Sequence, residues 1–174
     1  NYTVAVYEQK EEAGKINREL VAVYSPGTYF SNDSVNISNN ITCIWCQKST
    51  KSIVIGASNI DIYTGKSSIF EYDEELIKHN TIFDELELFI SIYNPSEIVL
   101  IYDLDDNKYM DSLISFASIQ TDCIHKIDLN IDSDNSNRAK KCTKQVYQKE
   151  TINYFFKDLD VSSLHLYEVA CQSF

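Results

Sequence analysis

Three carboxylates, Asp61, Glu85 and Asp103, lie near places where acids could serve a metal-dependent active site. Phosphodiester hydrolysis by paired Mg²⁺ ions requires several converging carboxylates, because Mg²⁺ prefers oxygen ligands and the ions must hold the attacking and leaving oxygens. One of those acids usually lies in the middle of the first strand, and residues 41–47 contain none. A nuclease with these three metal ligands is therefore the weaker hypothesis. The favoured interpretation assigns no catalytic, cofactor-binding or metal-binding residue.

Cysteine and histidine form no recognisable ligand set along the chain. Cys43 and Cys46 form a CxxC, but residues three apart in a strand point to opposite faces, so these two thiols cannot hold one ion there. We predict that both are buried as small apolar side chains. The histidines, His79, His125 and His165, are interpreted as surface or half-buried residues without an acidic or cysteine partner at ligand spacing.

Charge and composition exclude several functions. The formal net charge is −11, and a protein that binds nucleic acid by itself needs a basic surface. No apolar run approaches the roughly 20 residues of a membrane helix, so we expect no membrane partner. The five cysteines without a disulfide framework favour a reducing, intracellular compartment.

Four glycosylation sequons keep a different class of protein open. They begin at Asn1, Asn32, Asn36 and Asn40, and they would carry glycans in a secreted protein. In a chain so rich in asparagine and serine, such triplets arise by chance. An interaction module of an unrelated extracellular protein is therefore a second alternative.

The first 40 residues predict two strands and a linker. Strands at 2–7 and 19–24 flank a charged loop at 10–17, and Ser-Pro-Gly-Thr then turns the chain. These strands contain too few apolar residues for a domain, so residues 1–30 are interpreted as the end of a preceding one. Residues 31–40 have almost nothing to bury and predict a linker.

Residues 41–72 predict three antiparallel strands with short polar connections. The apolar run 53–55 requires cover on both faces of the sheet. Asn59 and Asp61 place polar groups on one face where this strand leaves the core.

The rest of the chain alternates helices and strands. After an acidic segment at 73–79, apolar residues recur at helical spacing from Thr81 until Asn94-Pro95 ends the helix. The elements that follow are a buried strand at 98–102, a helix around 110–117, a strand at 123–129, a mobile polar loop at 130–137, a helix at 144–157 and a last helix, capped by Ser162 or Ser163, that runs to 173. This order predicts an α/β, ribonuclease-H-like five-stranded mixed sheet, a three-strand antiparallel meander followed by αβαβα, with helices on both faces.

Several motifs resemble MutS DNA mismatch repair proteins. In that family a strand ending in VAxxEQ leads into REVxRxxTPGT at the end of the mismatch-recognition domain, and residues 4–9, 18–21 and 25–28 match these elements. Ser25 replaces the usual Thr and keeps a capping hydroxyl. The stretch around residues 52–71, which includes GASNIDIYTGKSSIFEY, is similar to GxAxxDxSTGxF of the MutS connector domain, and LELFISIYNPSEIV at 86–99 is similar to LxxxLxxxxPxEIL.

The resemblance implies a division of the chain and a function. Residues 1–30 would end the mismatch-recognition domain, 31–40 would be a linker, 41–160 the connector and 161–174 the start of the lever domain. The family's connector has a ribonuclease-H-like fold without nuclease activity, and it links the mismatch-binding and ATPase parts. Asp61 would then cap the turn at Thr64 and Gly65.

The resemblance also implies partners and a setting. This chain would need no cofactor, whereas the parent protein would be a DNA-dependent ATPase that uses ATP and Mg²⁺. Its partners would be the neighbouring MutS domains, a MutL-like protein and, through the parent, DNA. The composition, rich in Tyr and Asn, is similar to the divergent branch of giant viruses and octocoral mitochondria, which implies an infected host cell or a mitochondrion.

Overall fold

The computed structural model describes residues 2–12, 15–28, 39–75, 80–104, 107–156 and 168–174. In this part of the chain the strands form a two-stranded sheet and a five-stranded sheet. The strands are β1 Val4–Glu12, β2 Lys15–Tyr24, β3 Asn40–Lys48, β4 Ser52–Asp61, β5 Ser67–Glu75, β6 Glu97–Tyr102 and β7 Ile124–Asp128. The helices are α1 Asp84–Tyr93, α2 Asn107–Phe116, α3 Asp134–Cys142, α4 Gln145–Phe155 and α5 Glu168–Ser173, and a 3-10 turn, Asn80–Phe83, precedes α1.

The large sheet has the strand order β5-β4-β3-β6-β7. Strand β4 pairs antiparallel with β3 and with β5, whereas β3, β6 and β7 run parallel. The parallel pairs need crossover connections, and these contain α1 and α2. The predicted ribonuclease-H-like α/β fold is therefore confirmed.

Helices cover both faces of this sheet. One face carries the larger core, in which Ile53 and Ile55 of β4 pack with Leu86 of α1 and Leu113 of α2. On the opposite face, α3 and α5 help to bury a smaller cluster around Trp45. Val54 packs against that second cluster, so the start of β4 is covered on both faces, as predicted.

The N-terminal hairpin is longer than the sequence pattern predicts. Strands β1 and β2 pair through Glu12 and Lys15, so most of the segment predicted as a charged loop at 10–17 is strand. Both faces of the ribbon are largely exposed at residues 4–10 and 16–24, which lets charged residues occupy either side. Lys10, for example, pairs with Glu19 at 2.5 Å. Apolar alternation, which marks a strand with one buried face, is therefore a poor guide to where this ribbon ends.

Helix α3 contradicts the predicted mobile loop at 130–137. Ser133 caps this helix, because its hydroxyl accepts a hydrogen bond from the Ser136 N–H at 3.1 Å. The Ser136 hydroxyl donates to the Ile131 carbonyl at 2.6 Å, and its side chain is fully buried. Serine and aspartate favour helix starts as well as loops, because their side chains satisfy free backbone N–H groups in both.

The remaining boundaries differ modestly from the predictions. Strand β5 continues to Glu75 in the predicted acidic segment, and Asn94 ends α1 in the left-handed conformation. Residues 76–79, the end of the predicted helix at 157 and the proposed caps Ser162 and Ser163 lie outside the described residues. In the described ranges, no helix is long and apolar enough to cross a membrane.

Candidate functional site

Glu97 joins the exit of the hairpin to the centre of the large sheet. It is the first residue of β6 and is 8% exposed. Its Oε2 atom accepts hydrogen bonds from the Ser25 hydroxyl at 2.5 Å and from the Gly27 N–H at 2.9 Å. Since the Ser25 hydroxyl has one proton and donates it to Glu97, the Thr28 hydroxyl, 3.0 Å away, must donate to Ser25. The Ser-Pro-Gly-Thr turn is thus fixed by its own hydroxyls and by a carboxylate 70 residues away.

Asn39 ties the chain that follows the turn to the same place. Its Nδ2 amide donates to the carbonyl oxygens of Pro26 at 3.2 Å and Gly27 at 3.0 Å. Its Oδ1 atom accepts from the Ser96 hydroxyl at 2.5 Å. Residues 29–38 lie outside the described residues, but both ends of that segment are fixed to each other and to the start of β6.

His125 completes this cluster. Its Nε2 atom lies 2.7 Å from Oε1 of Glu97 and 3.7 Å from Sγ of Cys123. The interpretation that His125 lacks an acidic or cysteine partner is therefore wrong, although its side chain is half-exposed as predicted. His79 and His165 lie outside the described residues. We call Ser25, Gly27, Asn39, Glu97 and His125 the Glu97 clamp.

The clamp keeps Glu97 ionised despite its burial. Burial raises the pKa of a carboxyl group because it disfavours the charged form. Hydrogen bonds from Ser25 and Gly27, together with the neighbouring His125, outweigh this effect and hold the pKa of Glu97 below its usual value. The clamp is therefore built around a charged acceptor, whose hydrogen bonds are stronger than neutral ones.

Asp61 has a turn-capping geometry at the end of β4. Its carboxylate accepts from the Thr64 hydroxyl at 2.7 Å and from the N–H groups of Tyr63 and Asn39, each at 3.1 Å. The Gly65 N–H donates instead to the Asp61 main-chain carbonyl at 2.7 Å. The cap predicted for Thr64 is therefore present, and the contact with Gly65 runs through the backbone.

The three predicted acids are not brought together. Asp61 pairs with Asn40 at the start of β3, whereas Asp103 accepts from the Lys48 N–H at the end of that strand. The length of β3 separates them by about 26 Å, at about 3.3 Å per residue. Glu85 is exposed on α1. Among the described residues, the three-ligand cluster present is instead Glu97, Cys123 and His125.

Asn59 and Thr42 form a buried polar pair near Asp61. The Thr42 hydroxyl donates to Oδ1 of Asn59 at 2.9 Å, and Nδ2 of Asn59 donates to Oδ1 of Asn40 at 2.9 Å. Asn59 is 2% exposed and Asp61 9%, so the polar face predicted where β4 leaves the core is itself buried. Asn40, the described sequon asparagine, also donates to the Tyr93 carbonyl at 2.7 Å. A glycan on its amide would disrupt these contacts.

The two CxxC side chains point to opposite faces as predicted, although Cys43 is half-buried and only Cys46 is fully buried. Cys46 is buried in the larger core, whereas Cys43 packs against the Trp45 cluster on the opposite face. All five cysteines are free. Burial, with a smaller contribution from the nearby Cys142, raises the pKa of Cys43 to about 12, so its thiol is a poor nucleophile and metal ligand at neutral pH.

Comparison with known proteins relates the sequence of this chain to one family. No protein-family model matches the chain. A putative MutS homolog of Acanthamoeba polyphaga mimivirus is 33% identical over 109 residues, which cover 58% of this chain and 10% of that protein. MutS of Streptococcus agalactiae is 27% identical over 168 residues, 90% of this chain and 18% of that protein. The chain is homologous to a segment of MutS proteins. The resemblance inferred from the motifs is therefore confirmed.

The MutS relatives are much longer than this chain. MutS of Fusobacterium nucleatum, 31% identical over 131 residues, matches 68% of this chain and 13% of that protein. The chain thus spans less than a fifth of the length of the curated MutS proteins that it matches. Among solved structures, the fowlpox virus Holliday junction resolvase has a TM-score of 0.44 at 14% identity and covers 77% of this chain and 90% of that chain. A likeness at this level carries no functional argument.

Sequence reasoning missed the residues that build the clamp. The one signal for Glu97 in the sequence is its position before the apolar run Ile98–Ile101, because a lone carboxylate there needs partners for its charge. The spacing Cys123-x-His125 is a second signal. Residues two apart in extended backbone point to the same face, so these two side chains are expected to be neighbours.

Proposed function

We propose that the chain is the connector segment of a longer MutS-like DNA mismatch repair protein and that this segment is not catalytic. Its role is to hold the end of the mismatch-recognition domain in fixed register with the parts that follow. The Glu97 clamp is the observation that carries the proposal. It joins the exit of the β1–β2 hairpin to β6, which lies between two other strands of the large sheet.

The clamp suits the transmission of force. A loose linker between the hairpin and the sheet would absorb any movement, because flexible segments change conformation at little cost. Here Glu97 holds the turn, and Asn39 holds the chain that returns from residues 29–38. A displacement of the hairpin therefore acts directly on β6 and on its neighbour β3.

The positions of the acids favour this role over that of a nuclease. The Asp61 carboxylate accepts hydrogen bonds from its own turn, and Asp103 lies at the other end of β3. Strand β3 itself contains no carboxylate. The parent protein in this proposal uses ATP and Mg²⁺ through domains outside this chain. DNA, the neighbouring MutS domains and a MutL-like protein are its partners, and it acts inside a virus-infected cell or a mitochondrion.

One experiment separates the connector from the nuclease. The purified chain is incubated with Mg²⁺ or Mn²⁺ and with single-stranded DNA, duplex DNA, a four-way DNA junction and RNA. We expect no cleavage. Metal-dependent cleavage that Asp61→Asn abolishes would overturn the proposal in favour of the nuclease.

A second experiment tests the connection itself in the longer protein that contains this segment. Glu97→Gln and Gly27→Ala should leave mismatched DNA bound but reduce the stimulation of ATP hydrolysis by that DNA. Glu150→Gln, an exposed change on α4, is the matched control. Unchanged stimulation in both clamp variants would show that the clamp does not couple the domains.

A further inference from the structure

We propose that Glu97, Cys123 and His125 form a site for a transition-metal ion of the Zn²⁺ type. The three side chains offer a carboxylate oxygen, a thiol sulfur and an imidazole nitrogen, and these ligand atoms all lie within 4.8 Å of one another. The inference does not depend on the connector function, because it rests on the ligand geometry of this chain alone.

The sheet places the three ligands on one face. In the parallel pairing of β6 and β7, Ile98 is opposite Ile124 and Val99 is opposite His125. Glu97 therefore lies beside Cys123, and the Ile98 N–H donates to the Cys123 carbonyl at 2.9 Å. Because alternate residues of a strand share a face, all three ligands extend the face on which Val99 packs. Glu97 and His125 thus lie in adjacent strands and Cys123 immediately precedes β7, so no long loop is needed to close the site.

Contacts outside the cluster orient the Glu97 carboxylate and fix the main chain at Cys123. The clamp holds Oε2 of Glu97 through Ser25 and Gly27 and leaves Oε1 directed at His125. The Cys123 N–H donates to the Thr121 hydroxyl at 3.2 Å. Metal ligands in proteins are generally fixed by outer hydrogen bonds such as those of Glu97, which set the direction of the donor atom.

The ligand set selects among metals. Thiolate and imidazole favour Zn²⁺ and similar ions, whereas Mg²⁺ and Ca²⁺ require mostly oxygen. Ligands of tetrahedral Zn²⁺ lie about 3.3–3.7 Å apart, from bond lengths of about 2.0–2.3 Å. The 3.7 Å between Cys123 and His125 fits this range, and the 2.7 Å between His125 and Glu97 opens by about 0.6 Å when the ion replaces their shared proton.

The exposed side of the site supplies an access route and a fourth ligand. The His125 side chain is 49% exposed and that of Glu97 11%, so an ion can enter from solvent and keep one water. Binding releases the Cys123 thiol proton to solvent, because the thiolate is the ligand, and His125 binds through Nε2 as a neutral imidazole with its remaining proton on Nδ1. The ion would also stiffen the clamp, since Glu97 would then be held by both the metal and the hairpin turn.

Co²⁺ is the probe that tests this site, because it occupies Zn²⁺ sites and is coloured. The chain is prepared without a histidine tag, stripped with a chelator and titrated with Co²⁺. We expect tetrahedral d–d bands and a thiolate-to-cobalt charge-transfer band, both removed by added Zn²⁺. Cys123→Ser should abolish the charge-transfer band, and Ser25→Ala should weaken Zn²⁺ binding about tenfold because it frees Glu97.

Cys142→Ser is the matched control, since Cys142 is also half-buried and belongs to the cluster on this face of the sheet. It should leave the cobalt spectrum unchanged. The proposal is wrong if the stripped chain gives no charge-transfer band, or if the band survives in Cys123→Ser and is lost in Cys142→Ser. Circular dichroism of each variant establishes that it is folded. Neither the presence nor the absence of cobalt binding bears on whether the segment is a connector.

Discussion

The N–H of Gly27 lies 2.9 Å from the carboxylate of Glu97, across 70 residues of sequence. The approach is so close that a Cβ on residue 27 would lie 2.7 Å from Oε2 of Glu97 and 2.6 Å from Cγ1 of Ile41. Real Cβ atoms almost never make contacts that short, so a larger residue at position 27 would force the side chains of Ile41 and Glu97 to shift. The turn at the end of the hairpin therefore packs closely against β3 and β6 of the large sheet.

Glu97→Gln should lower the free energy of unfolding by about 1–3 kcal/mol, because it replaces charge-assisted hydrogen bonds at a buried position with neutral ones. Equilibrium urea unfolding at neutral pH measures the difference. Glu150→Gln, the same change at an exposed site, should alter the unfolding free energy by less than about 0.5 kcal/mol. Equal effects of the two substitutions would mean that the clamp does not stabilise the chain.

Gly56→Ala should destabilise the chain by about 1–3 kcal/mol through overpacking. A Cβ at residue 56 would lie 2.4 Å from the backbone N of Ala170 and 2.4 Å from the carbonyl carbon of Val169. Rigid backbone cannot give way as a flexible side chain does, so α5 must move. Urea unfolding measures the cost, and Ser67→Ala on the neighbouring β5 is the control.

A truncation that removes residues 168–174 tests whether the contact with α5 causes the loss of stability in Gly56→Ala. Without α5, Gly56→Ala has nothing to displace, and its effect should fall to the few tenths of a kcal/mol typical of a surface change. If the full cost of Gly56→Ala persists in the truncated chain, then strand conformation, and not the contact with α5, requires glycine.

The sheet was predictable because its signals are local and strong. The antiparallel meander follows from apolar segments separated by short polar turns, and the buried strand β6 follows from a continuous apolar run. The opposite directions of Cys43 and Cys46 follow from strand periodicity alone. Where one face or both faces of an element are buried, the spacing of apolar residues in the sequence indicates that burial directly.

The clamp was not predictable because its partners are far apart in sequence. Ser25, Asn39, Glu97 and His125 carry no spacing signal, and only the register of the folded sheet makes them neighbours. The sequence does not predict helix α3 for a different reason. Its first residues are those that also mark loops, and the burial of Ser136 that distinguishes the two depends on tertiary packing.

The buried pair Thr42 and Asn59 should show strong non-additivity. Asn59→Leu alone leaves the Thr42 hydroxyl buried without its acceptor, at a cost of about 1–3 kcal/mol. Adding Thr42→Val removes that unsatisfied group, so the double variant should be more stable than the sum of the single changes predicts. A double-mutant cycle by urea unfolding measures the coupling. Strict additivity would mean that the two side chains do not interact.

The hydrogen-bonded carboxylate of Asp61 should make the free energy of unfolding depend on pH in acid. The hydrogen bond from Thr64, together with those from the backbone around it, holds the pKa of Asp61 below its ordinary value of 3.8 despite its burial. A carboxyl whose pKa is lower in the folded state stabilises the fold above the unfolded value, and this contribution is lost as pH falls through the folded value. Asp61→Asn removes the titrating group and the charged acceptor together.

The wild type should therefore exceed Asp61→Asn in stability by a constant amount from about pH 7 to about pH 5, and the gap should narrow as pH falls through and below 3.8. Urea midpoints measured across this range give the comparison. Asp73→Asn, at an exposed position of β5, controls for the loss of one negative charge. If the gap between wild type and Asp61→Asn stays constant down to about pH 2, the carboxylate is not stabilised by its turn. The contacts with Thr64, Tyr63 and Asn39 would then contribute to stability without any effect of the charge on Asp61.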